Sequence, residues 1–230
     1  MGGIEYAIVT VFIAIWIVGG FIAFKFLRKG LARDREKADS LAAGLGLELV
    51  QGEEALRRMY RDSGQESQLA AFEKMPEFIR KLSIAMTPWR IEGERGGIRV
   101  AVYRESRGKN NSTYTIARAY PAPPLPFSLS VTREGGAYKL GKALFGLQDI
   151  ELGDPELDPI VKVKSGDPMA ARLRLGQGEA RSALLEAAAL HDFRLTESWV
   201  HWERRGAADD PAELGPILDL LVRVAKAVSG

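Results

Sequence analysis

The chain has no cysteine. That absence removes disulfide frameworks, thiolate metal sites and cysteine nucleophiles from consideration at once. Histidine is almost as scarce, with two in 230 residues, so any imidazole chemistry must come from His191 or His201. Neither sign of charge dominates: 32 lysines and arginines face 30 aspartates and glutamates, a formal net charge of +2. A dedicated nucleic-acid binder would carry a strong basic patch in place of this interspersion, and no nucleic-acid partner is expected.

One stretch lacks charge altogether, and the rest of the chain is organised around it. Residues 4–27 read IEYAIVTVFIAIWIVGGFIAFKFL, with no charged side chain from Tyr6 to Phe24. The run reaches the roughly 20 apolar residues a helix needs to cross a bilayer. A helix also satisfies its backbone amides internally in lipid, despite the β-branched content. The expectation is a transmembrane helix over 4–27. A cleaved secretory signal would instead need a basic start, a shorter apolar stretch and a small-residue cleavage site. This chain opens MGGIE and its run ends in FKFLRKG.

Lys25, Arg28, Lys29, Arg33, Arg35 and Lys37 follow directly. The positive-inside rule then predicts a single-pass cell-membrane protein with its amino terminus outside and its C-terminal domain cytoplasmic. The same six side chains are the candidate membrane-surface residues, because basic groups close to a bilayer attract anionic headgroups. Asp34 and Glu36 dilute that attraction, and a topology signal alone accounts for the cluster. Gly19 and Ala23 form a small-xxx-small pair, which makes a homodimer through that helix a candidate.

Past the anchor, Leu31, Ala38, Leu41 and Ala42 recur at helical spacing and predict a helix over 28–43 that stops at Gly44. LGLELV (45–50) reads as a weak strand and EEALRRMYR (53–61) as a short helix. Leu69, Phe72, Met75, Phe78, Ile79 and Leu82 form a stripe expected to face a core, split by Pro76 into two helices. From residue 88 the period changes. PWRIEGE (88–94), GIRVAVYRE (97–105), STYTIARAY (112–120) and PFSLSVTRE (126–134) predict four strands in an antiparallel meander.

Asp154-Pro155, Asp167-Pro168 and Asp210-Pro211 are each a helix-start signal, since aspartate caps free amides and proline fits the first helical position. Between them PIVKVKS (159–165) reads as a strand and GEARSALLEAAAL (178–190) as a helix. DFRLTE and SWVHWERR read as the arms of a hairpin. A closing amphipathic helix from Asp210 to Val228 follows, expected to kink or restart at Pro216. The predicted organisation is a transmembrane helix (4–27), a juxtamembrane helical segment (28–87) and an α+β globular domain (88–230), the last combining the meander with a mixed helix-strand subdomain.

The succession of a membrane helix, LAAGLGLELV, WRIEGERGGIRVAVY, GDPELDPIVKVKSGDP and ESWVHWERRG with GPILDLLVRVAKAV resembles a loose group of uncharacterised bacterial single-pass membrane-tethered proteins. Members often carry an aromatic residue where this chain has Leu157. The resemblance implies a shared fold and no activity.

Four motifs bear on chemistry. GAYKLGKA (136–143) matches G-x-x-x-x-G-K, but a phosphate loop continues with a magnesium-binding hydroxyl and here Ala143 follows. Asp149, Glu151, Asp154, Glu156 and Asp158 make an acidic run, with Asp154, Glu156 and Asp158 the candidate metal ligands, because calcium and magnesium take oxygen donors. Their spacing does not match a calcium-binding helix-loop-helix. His201 and Glu203 share one strand face and are a candidate acid/base or metal pair. PAPPLP (121–126) has PxxP spacing but also suits an extended connection. The sequons at Asn110 and Asn111 would lie in the cytoplasm.

The expected function is a membrane-anchored, non-enzymatic interaction or scaffold module without a cofactor, partnered by the membrane and a membrane or cytoplasmic protein. A lipid-headgroup or small-ligand sensor is one alternative. A metal-dependent enzyme using the run 149–158 is the other.

Overall fold

The computed structural model describes residues 33–62, 64–86, 89–107, 112–133, 148–190 and 192–230. The expected transmembrane helix with Gly19 and Ala23 lies outside them, as do Lys25, Arg28 and Lys29. Among the described residues no helix is long and apolar enough to cross a membrane. The chain divides into two units, Met1–Ser40 and Leu41–Gly230. What is described of the first is helical and carries Arg33, Arg35 and Lys37, all exposed.

The helix over 33–45 (α1) runs past the expected stop at Gly44. Its stop is Gly46, at φ 68°, where Leu47 N donates to Ala42 O (2.9 Å) and Gly46 N to Ala43 O (3.2 Å). These paired bonds satisfy the last carbonyls, and only glycine takes that left-handed turn without strain. Gly44 has another reason to lack a side chain: a Cβ there would sit 2.5 Å from Cγ of Pro211. Alanine gains helix propensity over glycine by about 1 kcal/mol, whereas overpacking costs roughly 1–3 kcal/mol. Gly44→Val, with still more bulk, should lower the unfolding free energy by about 2 kcal/mol, read as a drop in urea midpoint. An unchanged midpoint would mean that Gly44 and the Pro211 ring do not meet here.

The second unit is α+β. Among the described residues nine strands form one sheet: Glu48–Val50 (β1), Arg90–Arg95 (β2), Ile98–Arg107 (β3), Ser112–Tyr120 (β4), Leu129–Arg133 (β5), Gln148–Ile150 (β6), Val161–Ser165 (β7), Arg194–Thr196 (β8) and Val200–Arg205 (β9). Their order is β1-β2-β3-β4-β9-β8-β5-β7-β6, antiparallel throughout. The expected meander therefore holds for β2-β3-β4 and not for β5, which pairs with β7 and β8 instead. The later strands join the same sheet and build no separate one.

The reason is the connection 121–128. Between β4 and β5 lie β9 and β8, so the chain must cross three inter-strand steps of about 4.8 Å each, roughly 14 Å. The four prolines of PAPPLP donate no amide bond, so the segment crosses that distance without pairing as a hairpin strand. Leu125 is buried and its N donates to Glu197 O (2.9 Å), which ties the crossing to the turn between β8 and β9.

Alternation gives the sheet two unlike faces. Ile91, Val100, Val102, Ala117, Val131, Val163, Leu195, Val200 and Trp202 make the apolar one, all buried. Helix Pro211–Ser229 (α7) lies across it, against β3, β4 and β9. Helices Pro168–Leu175 (α5) and Gly178–Ala188 (α6) pack beside β7 and α7. The caps are as the sequence predicts: Asp167 accepts from Ala170 N and Asp210 from Ala212 N. The restart considered at Pro216 does not occur; α7 is one helix with Pro216 inside it. Leu214, Leu218 and Leu221 are fully buried on either side of the proline and hold the helix against the sheet. Asp154-Pro155 caps only a turn, which leads straight into β7.

The other face meets helix Gly52–Asp62 (α2), which helices Glu66–Glu73 (α3) and Glu77–Met86 (α4) join. The stripe predicted to point inward along α3 and α4 does so only in part. Phe72 is buried, while Met75, Phe78 and Ile79 are exposed.

Candidate functional site

The face opposite α7 is where charge and aromatic rings gather, because the strands place arginine, glutamate, tyrosine and histidine at alternate positions there. Two clusters result. In the first, Asp62 at the end of α2 accepts from the Tyr120 hydroxyl (2.7 Å) and from Arg99 Nη2 (2.7 Å). Arg90 bonds both Asp62 and Glu92, and Glu92 also takes Arg58 Nη1 at 2.8 Å. Burial opposes the Asp62 charge, but the Tyr120 hydrogen bond and the two arginines outweigh it and keep its carboxyl below the ordinary range. Burial likewise opposes the Arg90 charge, and the surrounding anions hold its guanidinium above its usual value. The Tyr120 phenol is pushed up by burial and by Asp62.

The second cluster lies on β9. His201 and Glu203, two apart and so on one face, meet at 3.1 Å between Nε2 and Oε2. Glu203 also accepts from Arg107 Nη1 (2.8 Å) and Arg194 Nη2 (3.0 Å). Arg118 Nε donates to His201 Nδ1 at 3.2 Å. That last bond fixes the tautomer: Nδ1 must keep its lone pair, so the proton is on Nε2 and is given to Glu203. Burial lowers the imidazole to about 4, with Arg118 and Arg194 adding to the effect against the pull of Glu203. Glu203 falls to about 2, because His201, Arg194 and Arg107 overcome its own burial.

Rings join the clusters. Arg90 lies 4.9 Å and Arg118 5.5 Å from the Tyr103 ring centroid, Arg118 lies 4.9 Å from that of Trp199, and Trp199 tilts against His201 at 5.2 Å. Each such contact is attractive, more so when desolvated. The face is thus one lattice from α2 to β8.

This lattice brings together the predicted pair His201 and Glu203 but does not expose it, since both are buried. A general base must reach a substrate proton, and neither side chain reaches solvent. Arg90, Arg118, Tyr120 and Asp62 were not singled out by the sequence reading. The signal was there in R-x-E, R-x-Y and H-x-E, each placing two polar groups on one strand face.

The acidic run is otherwise engaged. Asp158 accepts from the backbone N of Leu152 (2.7 Å), Gly153 (2.9 Å) and Asp154 (3.0 Å). Asp154 accepts from Glu156 N (2.9 Å) and Leu157 N (3.0 Å) and pairs with Arg181, which together hold it at about 2. Glu156 binds Arg181 Nη2 at 2.5 Å, and Asp149 bridges Lys162 and Lys164. These bonds occupy the lone pairs a cation would need. Among the described residues no group of three or more histidine, aspartate or glutamate side chains is arranged to hold a metal ion. His191, residues 136–143, Asn110 and Asn111 lie outside the described residues.

No family model and no curated protein sequence matches the chain. Among solved structures it is similar to the crystal structure of the mycobacterial trehalose monomycolate transport factor A, TtfA, with a TM-score of 0.48 and 14% identity, covering 86% of this chain and 92% of that one. Likeness at that level assigns no role to individual residues.

Proposed function

We propose that the chain is a membrane-anchored, non-enzymatic interaction or scaffold module whose partner is a membrane or cytoplasmic protein. One observation carries this reading: the shifted groups Asp62, Arg90, Tyr120, His201 and Glu203 are bonded to one another in closed sets, and Arg90, His201 and Glu203 are buried. Active sites shift pKa values toward a task with substrate access, whereas here the shifts follow from closed pairs. The apolar run 4–27 and the basic residues Lys25 to Lys37 supply the anchor and its predicted orientation.

The missing cysteines make the test direct. Ser182 is exposed on α6, and as a lone cysteine it should resist a membrane-impermeant maleimide in intact cells and react on lysis. Labelling of intact cells would reverse the orientation. Asp154→Asn, Asp158→Asn and His201→Gln should each still complement a deletion strain. A folded variant that fails would return the metal-dependent or acid/base enzyme to first place.

A second reading, a headgroup or small-ligand sensor, is favoured by a groove of about 860 Å³ between α5, α6 and the end of α7. Phe127, Leu173 and Ala180 line it, with Arg174 and Lys226 set among Asp167 and Glu179, an apolar body with charges of both signs around it. A rise in melting temperature with short-chain phosphatidylglycerol, lost in Leu173→Asp, would support that reading.

A further inference from the structure

The junction of α3 and α4 is the place where the fold departs from its own apolar pattern. Phe78 is 77% exposed, Ile79 45% and Met75 39%, and all three lie within residues 75–79, where Pro76 separates the two helices, a short apolar knuckle. An isolated exposed apolar residue is ordinary, but a contiguous group at a helix corner marks a contact surface.

The charges around it select the partner. Residues 73–81 carry Glu73, Lys74, Glu77, Arg80 and Lys81, a mixture that by itself argues against a bilayer. In the structure Glu77 is matched by Lys81 at 2.6 Å, and Glu73 shares Arg57 (3.0 Å) with Glu53. Lys74 and Arg80 have no ion pair among the described residues, so the knuckle is apolar at its tip and cationic at its flanks. That is the pattern of an interfacial segment, with apolar groups at the acyl boundary and basic groups among anionic headgroups.

We propose that the knuckle Met75–Phe78–Ile79 docks on an anionic bilayer surface. The inference rests on the membrane-anchored reading. Only 18 residues, 28–45, separate the expected anchor from the end of α1, and with 33–45 helical they span at most about 37 Å. Tethering of that length gives an effective concentration on the order of millimolar, so a weak contact by three side chains suffices to hold the domain down. Anchor and knuckle together make two attachments, which fix the orientation the domain presents to neighbours.

The test uses the full chain in vesicles of phosphatidylcholine, with and without about one-third phosphatidylglycerol. An environment-sensitive fluorophore is placed on Met75→Cys or, as the control, on Ser182→Cys. Quenching by bilayer-borne doxyl groups should be about threefold or more stronger at 75 than at 182 in anionic vesicles. It should fall to the control level when Phe78→Ser and Ile79→Ser are added, and weaken with Lys74→Glu and Arg80→Glu. Equal quenching at 75 and 182 in chains that float with the vesicles would overturn the docking while leaving the anchor intact. Failure to float at all would overturn the anchored reading itself. Protection of position 75 from aqueous iodide without doxyl quenching, increasing with protein-to-lipid ratio, would assign the knuckle to a second copy of the chain and overturn the proposal.

Discussion

Glu203→Ala should be the most damaging single change in the sheet, lowering the unfolding free energy by about 3–5 kcal/mol. The carboxylate is buried and accepts from His201, Arg107 and Arg194. Its removal leaves the Arg194 guanidinium facing Arg107 and Arg118 without the anion between them, and leaves His201 Nε2 without an acceptor. A buried donor without a partner costs its full desolvation penalty, and a buried charge costs more. Glu203→Gln keeps an acceptor and the shape but not the charge, and should fall between the two. Urea unfolding followed by tryptophan fluorescence measures both, and Trp202 and Trp199 flank the site. A loss below about 1 kcal/mol for Glu203→Ala would place the pair in the class of solvated surface ion pairs and would remove the argument that this face is closed.

How far the sequence was legible follows from what each signal encodes. Alternation located β2, β3, β4 and β9, and the shared face of His201 and Glu203 on β9, since side-chain direction is a property of one strand. It says nothing of which strand lies alongside, and so β5 was assigned to the meander although β9 takes the place beside β4. The clue to that swap was the proline-rich crossing, whose length and stiffness matter only once the sheet order is known. Gly44 and Gly46 teach the same lesson at short range: both look like helix stops, and only the position of Pro211, 167 residues past Gly44, tells which glycine serves packing. The stripe on α3 and α4 was visible as periodicity, but periodicity does not tell which of its residues are covered: Phe72 is buried and Phe78 exposed. Of the candidate residues, His201 and Glu203 were found as a pair. Their closure by Arg107, Arg118 and Arg194 joins three further strands and had no local signature.

Acid should destabilise the chain in two separable stages, the first belonging to His201. Its imidazole is held at about 4 in the folded chain against 6.5 for the free group. Between those values the unfolded chain binds a proton that the folded chain refuses, so stability is fully present above pH 6.5 and is lost as pH falls toward 4. The difference corresponds to roughly 3 kcal/mol at full protonation, with about 2 kcal/mol already gone at pH 5. Glu203, lowered from 4.5 to about 2, acts below that window, and its contribution is lost only as pH falls from 4.5 through 2. Asp62, also lowered, joins it there. Asp192 is shifted the other way by burial and by Glu203; it binds its proton more readily when folded and so opposes the acid loss near its own range. The interval between pH 6.5 and 5 therefore isolates the histidine. His201→Gln keeps an acceptor toward Arg118 and a donor toward Glu203 but has no proton to gain. Its urea midpoint should stay nearly level from pH 7 to 5 while that of the parent chain falls. His191 is common to both chains, so the difference between the two profiles reports His201 alone. Parallel profiles would mean that His201 titrates normally, and the Arg118 bond that fixes its tautomer would have to be given up.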